Sequence, residues 1–232
     1  MHLLQAQPGA IEDGEEAVDL AQEPADVLVL TAADTEIAAL ATARAELGDG
    51  APGLRLAALG FLKHPMSVDL YAEKTVAGAR LVVGRFLGGV GYWSYAIEEI
   101  ARTCRRNGIP FVALPGDEKS DADLAAVSTI EPEVRDALWG WLAEGGPGNS
   151  RNFLRACRAI LDGGELPEPA RPLLRAGLYW PGRDAPSLSD IAPRSDDRPR
   201  ALITFYRANV QGGAMAPVDA LIAALDAEGV AA

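Results

Sequence analysis

Four short apolar runs, each followed closely by a helical pattern, constrain this chain more than any other feature. The first, DVLVLTAAD (residues 26–34), is a run of valine and leucine that ends in small polar residues, the pattern of a strand buried on both faces. A helix is predicted over residues 35–47, with Asp34 as its cap and Gly48 just past its end. LRLAAL (54–59) is a second strand. The helix after it carries Val68, Tyr71, Ala72, Thr75, Val76 and Ala79 on one side, with Pro65 in its first turn, where a missing N–H is harmless. RLVVGRFL (80–87) is a third strand. The helix predicted over 92–107 aligns Trp93, Ala96, Ile97, Ile100, Ala101 and Cys104 in one stripe and stops at Gly108. IPFVALPG (109–116) is the fourth strand. Strands and helices alternating at this spacing require right-handed crossovers, hence a parallel sheet and a doubly wound α/β fold of the flavodoxin-like kind.

Beyond residue 116 the texture changes. Val134, Ala137, Leu138, Trp141 and Leu142 mark one helix, and Phe153, Leu154, Cys157, Ile160 and Leu161 mark another across a Gly-Gly-Pro-Gly turn, which makes a helical hairpin added to the sheet. GGELPEPARPLLR (163–175) has three prolines and no periodicity, as a linker does. AGLYWPG (176–182) and RALITFYR (200–207) are candidate strands, and a last helix is predicted over 218–228. The expected division is an N-terminal α/β domain with its hairpin (1–165), a proline-rich linker (166–199) and the start of a second α/β domain (200–232). One strand and one helix give that helix little sheet to bury against, so the expectation is a truncated second domain and a longer parent polypeptide. At the other end, residues 2–6 are a candidate edge strand and 12–19 an acidic loop.

Composition narrows the partners. The chain has 232 residues, 49% of them hydrophobic, enough for a globular core and too many for a disordered chain. Its net charge of −12 opposes binding to nucleic acid or to anionic membranes, both of which need clustered Lys and Arg. No apolar run approaches the roughly 20 residues of a membrane span, and the N-terminus lacks the basic and apolar segments of a signal peptide. A cytoplasmic protein is expected, with Cys104 and Cys157 as core thiols rather than a disulfide.

In open α/β sheets ligands bind beyond the carboxyl ends of the strands, and the unusual polar residues of this chain fall there. His64 sits at a strand-to-helix turn and is followed by Asp69 and Glu73, residue types that hold a borderline divalent metal. Their spacing is no ligand motif, and from the residues alone a helix-capping or loop histidine fits it better than a metal ligand does. The Gly88–Gly91 turn (GGVG) either presents N–H groups to an acidic ligand or is simply a tight turn needing positive φ; it is neither a P-loop nor GxGxxG. Tyr92 and Tyr95 lie off the apolar stripe and either face a planar ligand or cap the sheet edge. Arg85, inside a strand, needs a partner. Two histidines, at positions 2 and 64, assemble no convincing Ser-His-Asp or Cys-His arrangement.

Several blocks, in order, carry a resemblance that spans essentially the whole chain: HPMSVDLYAEKT, FLGGVGYWSYAIEEI, LPGDEKSDADLAAVST, GGPGNSRNFL, GLYWPG and LITFYRANVQGGAMAPVDALIAAL. Together with the opening 40 residues they resemble the N-terminal part of the large chelatase subunits, the family of CobN of aerobic cobaltochelatase and the H subunit of magnesium chelatase. The resemblance implies ATP-dependent insertion of cobalt, a substrate metal, into hydrogenobyrinic acid a,c-diamide during aerobic cobalamin synthesis. It implies AAA+ motor subunits as partners that hydrolyse the ATP, in keeping with the missing P-loop here, and a segment inactive by itself. Under that reading His64, Asp69 and Glu73 are the catalytic candidates, taking pyrrole protons, with His64 and Asp69 as metal ligands. Arg85, Gly88, Gly89, Gly91, Tyr92 and Tyr95 are the candidates for binding the tetrapyrrole and its acidic side chains. Two other readings fit the same elements: a free-standing ligand-binding module, and a docking scaffold without catalysis.

Overall fold

A computed structural model describes residues 16–183, 186–191 and 198–231. The expected edge strand at 2–6 lies outside them, as does the first half of the acidic loop, 12–15. Four parallel strands, β1 (Val27–Thr31), β2 (Leu54–Ala58), β3 (Leu81–Phe86) and β4 (Phe111–Pro115), form one sheet in the order β2-β1-β3-β4. The helices are α1 (Asp34–Leu47), α2 (Pro65–Lys74), α3 (Gly89–Tyr92), α4 (Ser94–Asn107), α5 (Ala122–Val127), α6 (Pro132–Glu144), α7 (Gly146–Asp162), α8 (Leu188–Ile191), α9 (Arg207–Gln211) and α10 (Ala216–Ala227).

The alternation of side chains along β1 and β3 builds two cores, one on each face of the sheet. Val27, Val29, Leu81 and Val83 point into a cluster with Leu40 of α1, Leu138 and Trp141 of α6, and Phe153 and Cys157 of α7. Leu28, Leu30, Val82 and Phe86 point the other way, into Val68 and Tyr71 of α2 and Ile97, Ile100 and Cys104 of α4. The product is the three-layer, doubly wound α/β architecture that the sequence predicts. Burial pushes the Cys104 thiol up to about 12 and that of Cys157 higher still, so neither forms a thiolate near neutral pH.

The outer edges of the sheet are covered by side chains, not by further strands. Along β4, the Thr129 hydroxyl accepts the Phe111 N–H at 2.8 Å and the Ser128 hydroxyl accepts the Ala113 N–H at 2.9 Å. Along β2, Gln22 Nε2 donates to Leu56 O at 3.1 Å. Hydroxyls that occupy the ladder positions of β4 leave no room for a fifth strand there.

Four local expectations are corrected. The predicted helix over 92–107 is broken at Trp93, which leaves helical geometry and donates Nε1–H to Leu87 O at 3.0 Å, so that α3 and α4 are separate. The N-cap of α1 is Ala33 rather than Asp34. The hairpin turn is a single residue, Gly145, with φ 65°; Gly146, Pro147 and Gly148 are already the first turn of α7. Finally, residues 176–182 and 201–206 form no strand. Just before the latter segment Arg200 makes one parallel bridge to Ala231, and within it Leu202 and Tyr206 are 90% and 83% exposed. An apolar run becomes a strand only where a neighbour offers a ladder, and β4 offers none. The predicted terminal helix is present as α10, with Val218 buried.

The segment read as a linker is tied to the hairpin. Asn149 donates to Arg171 O at 2.9 Å and accepts the Arg171 N–H at 3.0 Å, and Trp141 Nε1 donates to Glu168 O at 3.2 Å.

Gly84, in central strand β3, is covered by the ring of Phe86, which a Cβ at that position would strike. Gly84→Ala is expected to lower stability by about 1–3 kcal/mol, the range for overpacking a filled core. In urea denaturation the midpoint should fall with an unchanged slope.

Candidate functional site

The strand order reverses between β1 and β3, and the crevice beyond the carboxyl ends of these two strands is the position where open α/β sheets bind ligands. Thr31 and Arg85 are directly opposed across this pair, on the face that α1 and the hairpin cover. Glu36, in the first turn of α1, reaches between them. Its carboxylate accepts the Thr31 hydroxyl at 2.5 Å and forms an ion pair with Arg85 Nη1. The same guanidinium donates to Leu142 O at 3.2 Å and, through Nε, to Pro115 O at 3.3 Å. The two side chains are only 11% and 9% exposed, so the pair works in a low-dielectric setting with its donors and acceptors matched.

A cavity of about 220 Å³ adjoins this pair, lined among others by Glu36, Arg85, Asp117, Glu118, Ser150 and Gln211. α9 covers it: Gln211 Nε2 donates to Ala143 O at 2.6 Å, and Arg207 donates to Leu173 O at 3.1 Å and Leu174 O at 3.2 Å. Glu36 is paired with Arg85 and Glu118 with Arg207 Nη1 at 3.6 Å, so Asp117 gives the cavity a modest excess of negative charge. An anionic group entering here would have to displace Glu36 from Arg85.

The other predicted residues lie on the opposite face of the sheet. His64 is the N-cap of α2, its Nδ1 accepting the Met66 N–H at 3.1 Å. In a neutral imidazole that bond fixes the remaining proton on Nε2, so the ring has no second lone pair to offer a metal. Asp69 accepts the Tyr95 hydroxyl at 2.7 Å, a bond that links α2 to α4 and, by favouring the neutral phenol, raises the pKa of Tyr95. Glu73 lies one turn beyond Asp69 on an exposed part of α2. Among the described residues, no three His, Cys, Asp or Glu side chains are grouped to hold a metal ion.

Gly88 and Gly89 have φ of 90° and 69°, the left-handed conformation that a tight turn demands, whereas Gly91 does not. A Cβ on Gly89 would lie 2.6 Å from Asp121 Oδ2. Asp121 caps α5 by accepting the Asp123 and Leu124 N–H groups, so a carboxylate already stands against this turn. That charge opposes an acidic ligand at the same place. Tyr92 is 70% exposed and meets Trp93 edge-on at 5.2 Å. Arg85 therefore does not join the Gly88–Tyr95 group: it faces α1 and the hairpin, and the turn faces α5. The partner residues Thr31 and Glu36 had no signal in the sequence beyond the requirement that a strand arginine be paired.

The family model described as CobN/Magnesium Chelatase matches residues 139–232. The chain is 45% identical over 241 residues to the aerobic cobaltochelatase subunit CobN of a Sinorhizobium species, covering 100% of this chain and 19% of that protein. It is 32% identical to the subunit of the same name from Pseudomonas aeruginosa, covering 99% of this chain and 18% of that one. The chain thus spans about a fifth of the length of the curated relatives it matches. Among solved structures, the catalytic subunit of cobaltochelatase from Mycobacterium tuberculosis superposes with a TM-score of 0.65 over 88% of this chain and 15% of that one, at 23% identity, a likeness of fold.

The buried pair sets a direct test. Glu36→Ala leaves the Arg85 charge uncompensated and is expected to lower stability by about 3–5 kcal/mol. Glu36→Leu combined with Arg85→Met, which removes both charges, should recover most of that loss in the same denaturation measurement.

Proposed function

Because the chain belongs to the CobN/magnesium chelatase family, we propose that it is a structural portion of a cobaltochelatase large subunit, the one that holds the tetrapyrrole during cobalt insertion. The observation that carries this reading is the 45% identity to a cobaltochelatase subunit, in an alignment that covers the entire chain. The substrate under this reading is hydrogenobyrinic acid a,c-diamide, with cobalt as substrate metal, and AAA+ partner subunits supply ATP hydrolysis. This segment by itself is inactive.

Metal insertion releases two pyrrole protons, so some group must accept them. Within this chain His64, Asp69 and Glu73 remain the candidates, spread along α2 from its N-cap to its last turn. The capping bond sets the terms. For His64 to take a proton or a metal at Nε2 in the neutral ring, its remaining proton must shift to Nδ1, which breaks the bond to Met66 N. Loss of an N-cap costs about 1 kcal/mol, a small sum beside the affinity of a metal site. Tyr92 at the end of α3 and Tyr95 in the first turn of α4, both exposed, offer an aromatic surface for a planar ligand on the same side of the sheet.

Replacing the matching stretch of the Sinorhizobium subunit with this chain tests the overall assignment. The chimera, supplied with its motor subunits, is expected to insert cobalt within about tenfold of the parent rate. A folded chimera that binds the motor subunits yet inserts no cobalt refutes it. In the same chimera His64→Asn separates chemistry from capping, since asparagine caps helices well. Insertion should drop by about 10²–10⁴-fold with the melting temperature unchanged if the imidazole handles protons or metal. Unchanged turnover assigns His64 to the cap alone.

A further inference from the structure

The amino edge of the sheet, opposite the switch point, carries a concentration of positive charge that neither the family nor the switch-point crevice accounts for. A groove of about 700 Å³ runs between the starts of β1, β2 and β3, lined by Asp26, Arg44, Gly53, Arg55, Gly78 and Arg80 among others. Three arginines in one groove are notable in a chain of net charge −12, where acidic groups outnumber basic ones by 33 to 21.

Each guanidinium is held by a main-chain carbonyl. Arg44 Nη1 donates to Gly48 O at 2.9 Å, Arg55 Nε to Glu23 O at 2.8 Å and Arg80 Nη2 to Leu161 O at 3.4 Å. A carbonyl orients a guanidinium without neutralising it, and four of the five N–H donors stay available after one such bond. Among the described residues, Asp26 is the one carboxylate lining the groove. It accepts the Gly53 N–H at 3.0 Å and pairs with Arg80 at 3.2 Å, and these bonds, the Gly53 one first, hold its pKa below the usual carboxylate range. Among the described residues, Arg44 and Arg55 have no carboxylate within 4 Å. Three cations against Asp26 leave two unit charges, and the C-terminal end of α1 offsets roughly half of one. The groove is therefore net positive, with two unpaired planar forks set in place before any ligand arrives.

Planar forks bind carboxylate and phosphate oxygens in pairs, and two or three of them around one groove suit a ligand with more than one anionic group. We propose that this groove is a binding site for a multivalent oxyanion, a polycarboxylate or an oligophosphate, held chiefly by Arg44 and Arg55 with Arg80 kept in place by Asp26. The site stands on the edge of the sheet away from His64, Arg85 and the GGVG turn, so it is independent of the chelatase reading. Because the guanidiniums are partly solvated, binding weakens as salt is added.

Calorimetric titration of the 232-residue chain at low ionic strength, with citrate, pyrophosphate and acetate, tests this. Saturable one-to-one binding of citrate or pyrophosphate is expected, and the tighter of the two identifies carboxylate or phosphate as the preferred group. Arg55→Gln and Arg44→Gln should each weaken it about tenfold, the loss of one charge-assisted bond, and the double variant more. Arg102→Gln, whose side chain pairs with Glu99 on the outer face of α4, should change nothing. Arg55 lies outside any helix and caps none, so Arg55→Gln decides the matter if Arg44→Gln fails to fold. The proposal is overturned if neither anion binds saturably, if acetate binds as tightly as citrate, or if Arg102→Gln weakens binding as much as the groove variants.

Discussion

Arg85 stands at the end of a central strand with its charge nearly out of water, and the arrangement around it holds four parts of the chain in register. Glu36 brings the first turn of α1, Thr31 the end of β1, Pro115 the end of β4, and Leu142 the hairpin helix α6. A buried guanidinium is tolerated only when its donors are met, so the contacts that satisfy it also fix where α1 and the hairpin sit on the sheet. The apolar clusters supply most of the driving force for folding but are non-directional. The polar network at the switch point supplies the direction.

That placement settles what kind of crevice the switch point becomes. With Glu36 on Arg85 and Glu118 on Arg207, the cavity under α9 is left mildly acidic by Asp117 and is closed by Gln211 and Arg207. A cluster of accessible positive charge lies instead at the opposite edge of the sheet, where Arg44 and Arg55 are held by carbonyls and, among the described residues, have no carboxylate within 4 Å. On the α2/α4 face, His64, Asp69, Tyr92 and Tyr95 form a third surface of different character, aromatic and weakly acidic. The three surfaces lie on different faces or edges of one sheet, and each draws its properties from a different set of loops.

Edge protection explains the shape of the rest. Ser128 and Thr129 fill the outer ladder positions of β4, and Gln22 reaches Leu56 O on β2. The apolar residues 201–206 consequently find no sheet to extend, and beside them only Arg200 bridges to Ala231 among the described residues. Gly145 permits this packing: a Cβ there would lie 2.5 Å from Gln211 Cγ and 2.7 Å from Gln211 O, so α9 approaches the hairpin turn only because that turn is glycine.

From the sequence alone came the four strands, the helices between them and the parallel, doubly wound order, because hydrophobic periodicity and capping residues act over spans of a few residues. The family likeness was equally legible, since it rests on residue identity in order along the chain. Tertiary structure alone decided that Arg85 is spent on Glu36, that His64 caps α2, that a carboxylate guards the GGVG turn, and that three arginines 11 and 25 residues apart share one groove. It also decided that the run at 201–206 is no strand. The reason is common to all of these: a charge or a ladder edge acquires its meaning from a partner distant in sequence, and local pattern carries no information about which partner arrives.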